Sequence, residues 1–80
     1  MRLDKYLKVS RLIKRRTVAN EACDAGRVLV NGKTAKASSD VKVGDTIEIM
    51  FGEKTVKVEV LGIADTSRKE EAAELFRYLT

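Results

Sequence analysis

Seven positively charged side chains crowd the first sixteen residues of this 80-residue chain, where the only acid is Asp4. They are Arg2, Lys5, Lys8, Arg11, Lys14, Arg15 and Arg16. Cations at this density bind polyanions, and the fork of N–H donors on arginine matches the geometry of a phosphate group. The chemistry that these residues indicate is therefore recognition of a phosphate backbone.

The end of this basic stretch is its most specific part. Lys14, Arg15 and Arg16 directly precede a predicted helix start at Thr17, a residue type that caps helices well. Helix N-termini present unpaired N–H groups and a partial positive charge, and so bind anions. The alternative is a merely solvated charged surface, which is common in soluble proteins.

The rest of the composition argues against catalysis. The net charge is +4, yet residues 40–80 carry nine acids against six bases. The basic N-terminal part of the sequence is therefore followed by an acidic C-terminal part. With no histidine and a single cysteine, the chain lacks the commonest general acid/base and the usual zinc ligand sets. We predict no catalytic residue, metal or cofactor, and we expect Cys23 to be a buried small hydrophobe.

Length and hydropathy predict one small domain over residues 1–80. No apolar run approaches the roughly 18 residues that a membrane span needs. The basic N-terminus is not followed by the long apolar segment of a signal peptide. We therefore expect a cytoplasmic protein with no membrane contact.

The cations are predicted to lie on one short helix, on the basic loop that follows it over residues 10–16, and at the start of a second helix. Residues 2–9 have Leu3, Tyr6 and Leu7 on one face at helical spacing, which leaves the basic side chains on another. Asp4 falls in the first turn, where a carboxylate complements the helix dipole, and we interpret it as structural.

The second predicted helix spans Thr17–Ala25, and Gly26 stands where a C′ glycine would end it. Arg27–Val30 is then predicted as a strand, Asn31-Gly32 as a type I′ turn and Lys33–Ala37 as the return strand. This hairpin could extend the cationic surface, or its polar residues could serve only the turn. The residues in question are Arg27, Asn31 and Lys33.

The second half of the chain predicts a small sheet and a last helix. Thr46–Phe51 and Thr55–Leu61 alternate between apolar and polar residues, as half-buried antiparallel strands do. Phe51 and Phe76 are expected in the core, so base stacking on aromatic side chains is not expected. Ser67–Glu70 fits a capping box that opens a C-terminal helix. Its apolar stripe would consist of Ala72, Ala73, Leu75, Phe76 and Leu79.

The ordered set of motifs over residues 1 to about 51 resembles the S4 RNA-binding domain. The motifs are Arg2–Leu7, Arg15-Arg16-Thr17, Gly26–Gly32 and Val43-Gly44-Asp45. The resemblance implies an α+β fold, the S4-like (αL) module, in which two short N-terminal helices pack on a small antiparallel sheet. Residues 1–51 would form this core module, and residues 52–80 would add a C-terminal strand and helix.

Two further stretches, Lys8–Thr17 and Lys36–Lys42, resemble the RqcP (YabO) group of small S4 proteins. Members of that group bind 50S ribosomal subunits obstructed by peptidyl-tRNA. The resemblance implies a non-catalytic protein that contacts 23S rRNA and P-site tRNA and supports ribosome-associated quality control. In that process an RqcH-like tailing factor adds alanine to the stalled chain.

Carried onto this sequence, the resemblance makes Arg2 and Arg16 the best candidates for rRNA contacts. Lys8, Arg11, Lys14 and Arg15 should support them. Charge and position alone add Lys5, Arg27, Asn31 and Lys33 as further candidates for RNA contacts. We expect a monomer associated with the ribosome. Two alternatives stay open: a general regulator that binds structured RNA or tRNA, and a protein-interaction module acting through the stripe of Leu75, Phe76 and Leu79.

Overall fold

A computed structural model describes residues 1–64 and 68–79 of the chain. Within these residues, five antiparallel strands form one sheet in the order β2-β1-β3-β4-β5, with two helices before it in the sequence and one short helix before its last strand. The elements are α1 (Leu3–Val9), α2 (Arg16–Asp24), β1 (Val28–Val30), β2 (Lys33–Thr34), β3 (Thr46–Phe51), β4 (Lys54–Val60), α3 (Lys69–Ala72) and β5 (Phe76–Tyr78). The predicted α+β fold, with two N-terminal helices and a small antiparallel sheet, is confirmed.

Helix α1 buries the face that the sequence predicts. Leu3, Tyr6 and Leu7 are completely buried in the same core cluster as the sheet residues. The helix ends at Val9 with Ser10 as its C-cap, and Arg11 follows with a φ of 62°, a left-handed conformation that is uncommon outside glycine. The turn then buries Ile13, which anchors the connection to α2 in the core.

Helix α2 begins one residue earlier than predicted, and Thr17 is not its cap. Arg15 is the N-cap, with an extended backbone and no capping hydrogen bond from its side chain. The buried residues Ala19 and Cys23 face the core, as expected for Cys23. Thr17 is therefore the second residue of the helix, a shift of one residue from the predicted start.

The first hairpin matches the prediction at its turn and is shorter than predicted beyond it. Asn31 and Gly32 have φ values of 53° and 83°, the positive pair that a type I′ turn requires. The return strand β2 ends at Thr34, whereas the sequence predicts a strand as far as Ala37.

Strands β3 and β4 form the centre of the sheet. Ile47 pairs with Val58 and Ile49 with Val56, so alternate side chains of both strands face the helices. Ile47, Ile49 and Val58 are fully buried. Phe51, expected in the core, is 45% exposed because it is the last residue of β3, at the hairpin end of the strand.

The C-terminal segment departs from the prediction. The only helix described there is α3, a single turn, and the residues from Phe76 to Tyr78 form the edge strand β5, with Phe76 opposite Val60. The edge of β4 would otherwise leave its backbone groups unpaired, and this hydrogen bonding outweighs the helical spacing of the stripe. The predicted helix is thus wrong beyond Ala72, and Leu75, Phe76 and Leu79 do not form one helix face. Ser67, which opens the predicted capping box, lies outside the described residues.

One buried contact ties the two ends of the described chain together. The Tyr6 hydroxyl donates a 2.6 Å hydrogen bond to the backbone carbonyl of Leu75. The same carbonyl accepts from the backbone N–H groups of Leu61 and Gly62, at 2.8 and 3.1 Å. Helix α1 is therefore held against both the sheet and the segment that leads into β5.

Candidate nucleic-acid interface

The carboxylate of Asp4 lies between two arginines that come from different parts of the chain. Arg2 approaches with Nε 3.2 Å from Oδ1, and Arg16 approaches with Nε 3.4 Å from Oδ2. Each arginine also donates from Nη2 to the other oxygen, at 3.4 and 3.5 Å. We call these three residues, together with Asn20, the Asp4 cluster.

Backbone pairing fixes the Arg2 side of the cluster. Arg2 forms an antiparallel bridge with Asp40. The next two N–H groups, those of Leu3 and Asp4, donate to the carbonyls of Ser39 and Ala37 at 2.8 and 3.1 Å. The residues before α1 are thus held in an extended conformation against the segment that follows β2.

Helix α2 supplies the other side. Arg16 and Asn20 are four residues apart, so they project from the same face of the helix. Asn20 donates from Nδ2 to Oδ2 of Asp4 at 3.4 Å. Because α1 carries Asp4 and α2 carries Arg16 and Asn20, the whole cluster forms only where the two helices pack against each other.

Asp4 is charged although its side chain is only 3% exposed. Burial alone would raise the pKa of Asp4. Hydrogen bonds from Arg16, Asn20 and Arg2, with a further one from the Lys5 N–H, outweigh that effect and hold the pKa below its ordinary value. The carboxylate therefore stays ionised at neutral pH and keeps its hold on both guanidinium groups.

The two arginines also face solvent. Their side chains are 52% exposed for Arg2 and 46% for Arg16. A guanidinium group carries five N–H donors, and the contacts with Asp4 involve only Nε and one Nη of each. Beside Arg16 an open groove of about 410 Å³ is lined by the cluster residues Asp4, Arg16 and Asn20 together with Thr17 and Glu21.

Most of the other predicted cations lie along α1 and the connection to α2. Lys8 is exposed in the last turn of α1, and Lys5 is half-buried in the same helix. Arg11, Lys14 and Arg15 are exposed in the connection that ends at Arg16. The structure thus joins Arg2 and Arg16 through Asp4 and leaves these five in the segments between them.

The hairpin candidates are not joined to the Asp4 cluster by any contact in the described part of the chain. Arg27 and Lys33 are exposed beside β1 and in β2. The Asn31 amide is used internally: Nδ2 donates to Asp45 at 3.1 Å, and Oδ1 accepts from the Thr46 N–H at 3.0 Å. Asn31 therefore fastens the turn to the start of β3.

Sequence reasoning missed two members of the cluster. Asn20 is not among the predicted site residues, although its spacing of four residues from Arg16 indicates that the two share a face of the helix. Asp4 was interpreted as a helix-dipole residue, whereas it is the common partner of both arginines. Its position between Arg2 and Lys5 gave a local signal, but only the packing of α1 on α2 reveals the contact with Arg16.

Metal sites and membrane spans are both absent from residues 1–64 and 68–79. Within those ranges no group of three or more histidine, cysteine, aspartate or glutamate residues is placed to hold a metal ion. No helix within them is long and apolar enough to cross a membrane.

The sequence of the chain matches the family model of the S4 domain over residues 1–47. The chain belongs to the S4 domain family. Among its relatives is the RQC P-site tRNA stabilizing factor of Bacillus subtilis, 60% identical over 99% of this chain and 92% of that one. The protein of the same name from Streptococcus pneumoniae is 56% identical over 100% of this chain and 91% of that one.

A solved structure supports the same assignment at the level of fold. Heat Shock Protein 15 of Vibrio cholerae, described as trimeric, superposes with a TM-score of 0.90 and 34% identity. The match covers 98% of this chain and 80% of that one. The resemblance predicted from the sequence, to S4 domains and to the RqcP group, is therefore confirmed.

Proposed function

We propose that the chain is a non-catalytic RNA-binding protein of ribosome-associated quality control. It binds rRNA of the large ribosomal subunit and the P-site tRNA through a surface centred on the Asp4 cluster. The observation that carries the proposal is the pair of half-exposed guanidinium groups held side by side by one buried carboxylate. The names of the full-length relatives, which refer to P-site tRNA, support the choice of target.

The physical argument starts from what the surface offers. Fixed arginines, flanked by the cations of α1 and the α1–α2 connection, match a phosphate backbone. A-form RNA hides its base edges in a deep groove, so a protein of this kind reads the shape of a folded RNA. If about six phosphates are contacted, the log–log dependence of affinity on salt should have a slope of about −4 to −5.

The full interface includes the cations that flank the cluster. Its members are Arg2, Lys5, Lys8, Arg11, Lys14, Arg15 and Arg16. Arg27 and Lys33 are peripheral candidates, and Asn31 acts through the turn that it fastens. The protein acts in the cytoplasm, on large subunits that still carry peptidyl-tRNA, and an RqcH-like tailing factor acts beside it. It binds as a monomer; a trimer like that of the Vibrio cholerae relative is the alternative that sedimentation would reveal.

Sedimentation with large subunits tests the proposal. The wild-type protein should co-sediment with obstructed large subunits, and Arg16→Ala should weaken that association about tenfold. Arg77→Ala is the matched control, since Arg77 is an exposed arginine that also pairs with an acid, Glu59, at 2.6 Å, but on β5. Lys33→Ala should cost less than Arg16→Ala.

The outcomes separate the two RNA-binding functions. Binding to free tRNA without preference for large subunits would favour a general RNA regulator. Equal losses for Arg16→Ala and Arg77→Ala, with both variants folded, would contradict a site centred on the Asp4 cluster.

A further inference from the structure

We infer that Asp4 is a positioning residue, which holds Arg2 and Arg16 ready for RNA without touching the RNA itself. The inference rests on the proposed function, because it concerns how that surface binds. It goes beyond that function because it states that a buried acid favours the binding of a polyanion.

The first step concerns the freedom of the two side chains. A long arginine side chain at a surface samples many rotamers and loses that freedom when it binds. Here each guanidinium group has two contacts to a carboxylate that is itself fixed by the Lys5 N–H at 2.8 Å and by Asn20. Much of the ordering that RNA binding requires is therefore already present in the free protein.

The second step concerns what Asp4 leaves available. Its contacts with the two arginines are 3.2 to 3.5 Å long, whereas charge-assisted hydrogen bonds typically measure about 2.7–2.9 Å. Both arginines remain about half exposed. Asp4 thus orients the guanidinium planes without using all of their donors, and at 3% exposure it is shielded from direct contact with a phosphate.

The direction in which one substitution changes the affinity for RNA distinguishes this role from simple electrostatics. Removing an acid makes the protein more positive, so general electrostatics predicts tighter binding to RNA. Positioning by Asp4 predicts the opposite for Asp4→Asn. The matched control is Asp24→Asn, which makes the same chemical change at an exposed residue at the end of α2.

The experiment measures binding of these variants to large ribosomal subunits and to deproteinised bulk tRNA. Asp4→Asn should weaken binding about tenfold, and Asp24→Asn should leave it unchanged or tighter. Asparagine keeps an oxygen that can accept from the Lys5 N–H, and circular dichroism checks that the variant folds. Equal or tighter binding by Asp4→Asn would overturn the inference. If the wild-type protein bound neither large subunits nor tRNA, the proposed function would fail, and the inference with it.

A second comparison tests whether Asp4 acts through the two arginines. In the Arg2→Ala/Arg16→Ala background, Asp4→Asn should cause no further loss of binding, because nothing remains for the carboxylate to position. A purely structural role would give the same loss in both backgrounds. That additive result would overturn the inference while leaving the proposed function intact.

Should Asp4→Asn fail to fold, the wild-type protein alone still decides the question. NMR of the arginine Nε–H groups should show resolved, slowly exchanging signals for Arg2 and Arg16. Arg11, exposed in the turn after α1, is the internal reference. Signals for Arg2 and Arg16 that average and exchange as fast as that of Arg11 would refute the positioning role.

Discussion

The substitution Tyr6→Phe isolates the contact that ties α1 to the C-terminal segment. It removes one hydroxyl from a fully buried side chain and leaves the aromatic ring in place. The lost interaction is the 2.6 Å hydrogen bond to the carbonyl of Leu75. A hydrogen bond of this kind contributes about 1 kcal/mol net, and more when its loss leaves a buried group unsatisfied.

In this structure the loss of stability should be close to the lower of these two values. The Leu75 carbonyl also accepts from the N–H groups of Leu61 and Gly62, so it keeps partners after the substitution. We therefore expect a loss of about 1 kcal/mol in the free energy of unfolding, which in a chain of this size lowers Tm by about 4–8 °C.

Thermal and urea unfolding followed by circular dichroism measures this loss. Tyr78→Phe is the matched control, since Tyr78 is 62% exposed and its substitution should change stability by less than about 0.5 kcal/mol. RNA binding should be unchanged in both variants, because neither hydroxyl belongs to the Asp4 cluster. A loss above about 3 kcal/mol, or none, would refute the reasoning from the shared carbonyl.

Three further predictions follow from single residues. Burial and the charges of Asp4 and Asp24 raise the pKa of Cys23 to about 11, so the thiol should react with iodoacetamide at pH 8 far more slowly than free cysteine; comparable rates would contradict this. The protonated thiol of Cys23 should contribute to the free energy of unfolding in full below the ordinary thiol pKa of about 8.5. This contribution should decline as the pH rises towards 11. Gly32→Ala should cost about 1 kcal/mol in urea unfolding from backbone strain alone, since φ is 83° and no atom lies within 4 Å of the added Cβ; a neutral result would exclude that strain. The pKa of Asp4 is lowered in the folded protein, so its carboxylate should stabilise the fold above the ordinary aspartate pKa of about 3.9 and lose that effect as the pH falls. The free energy of unfolding of Asp4→Asn should therefore fall less steeply in acid than that of the wild-type protein.

The two N-terminal helices, the turn of the first hairpin and the central strands could be predicted because local signals determine them. Apolar spacing fixes the buried face of α1, and Asn31-Gly32 supplies the positive φ pair that the type I′ turn needs. The C-terminal segment could not be predicted in the same way. Its spacing fits a helix, but pairing with the edge of β4 is a long-range interaction that periodicity does not encode.

The candidate site shows the same division. Family resemblance predicted Arg2 and Arg16 as the best candidates for RNA contacts, and charge predicted the cations between them. It did not reveal that both arginines share Asp4, because that contact joins residues 12 positions apart through the packing of α1 on α2. The role of Asn31 was also hidden, since its Asp45 partner lies 14 residues away.

Site-specific photocrosslinking tests the central claim most directly. A photoreactive amino acid at Thr17, which lines the groove beside Arg16, keeps both arginines intact. On purified obstructed large subunits it should crosslink to ribosomal RNA or tRNA, whereas the same probe at the exposed Tyr78 should not. Strong RNA crosslinks from Tyr78 with none from Thr17 would show that RNA binds elsewhere on the molecule.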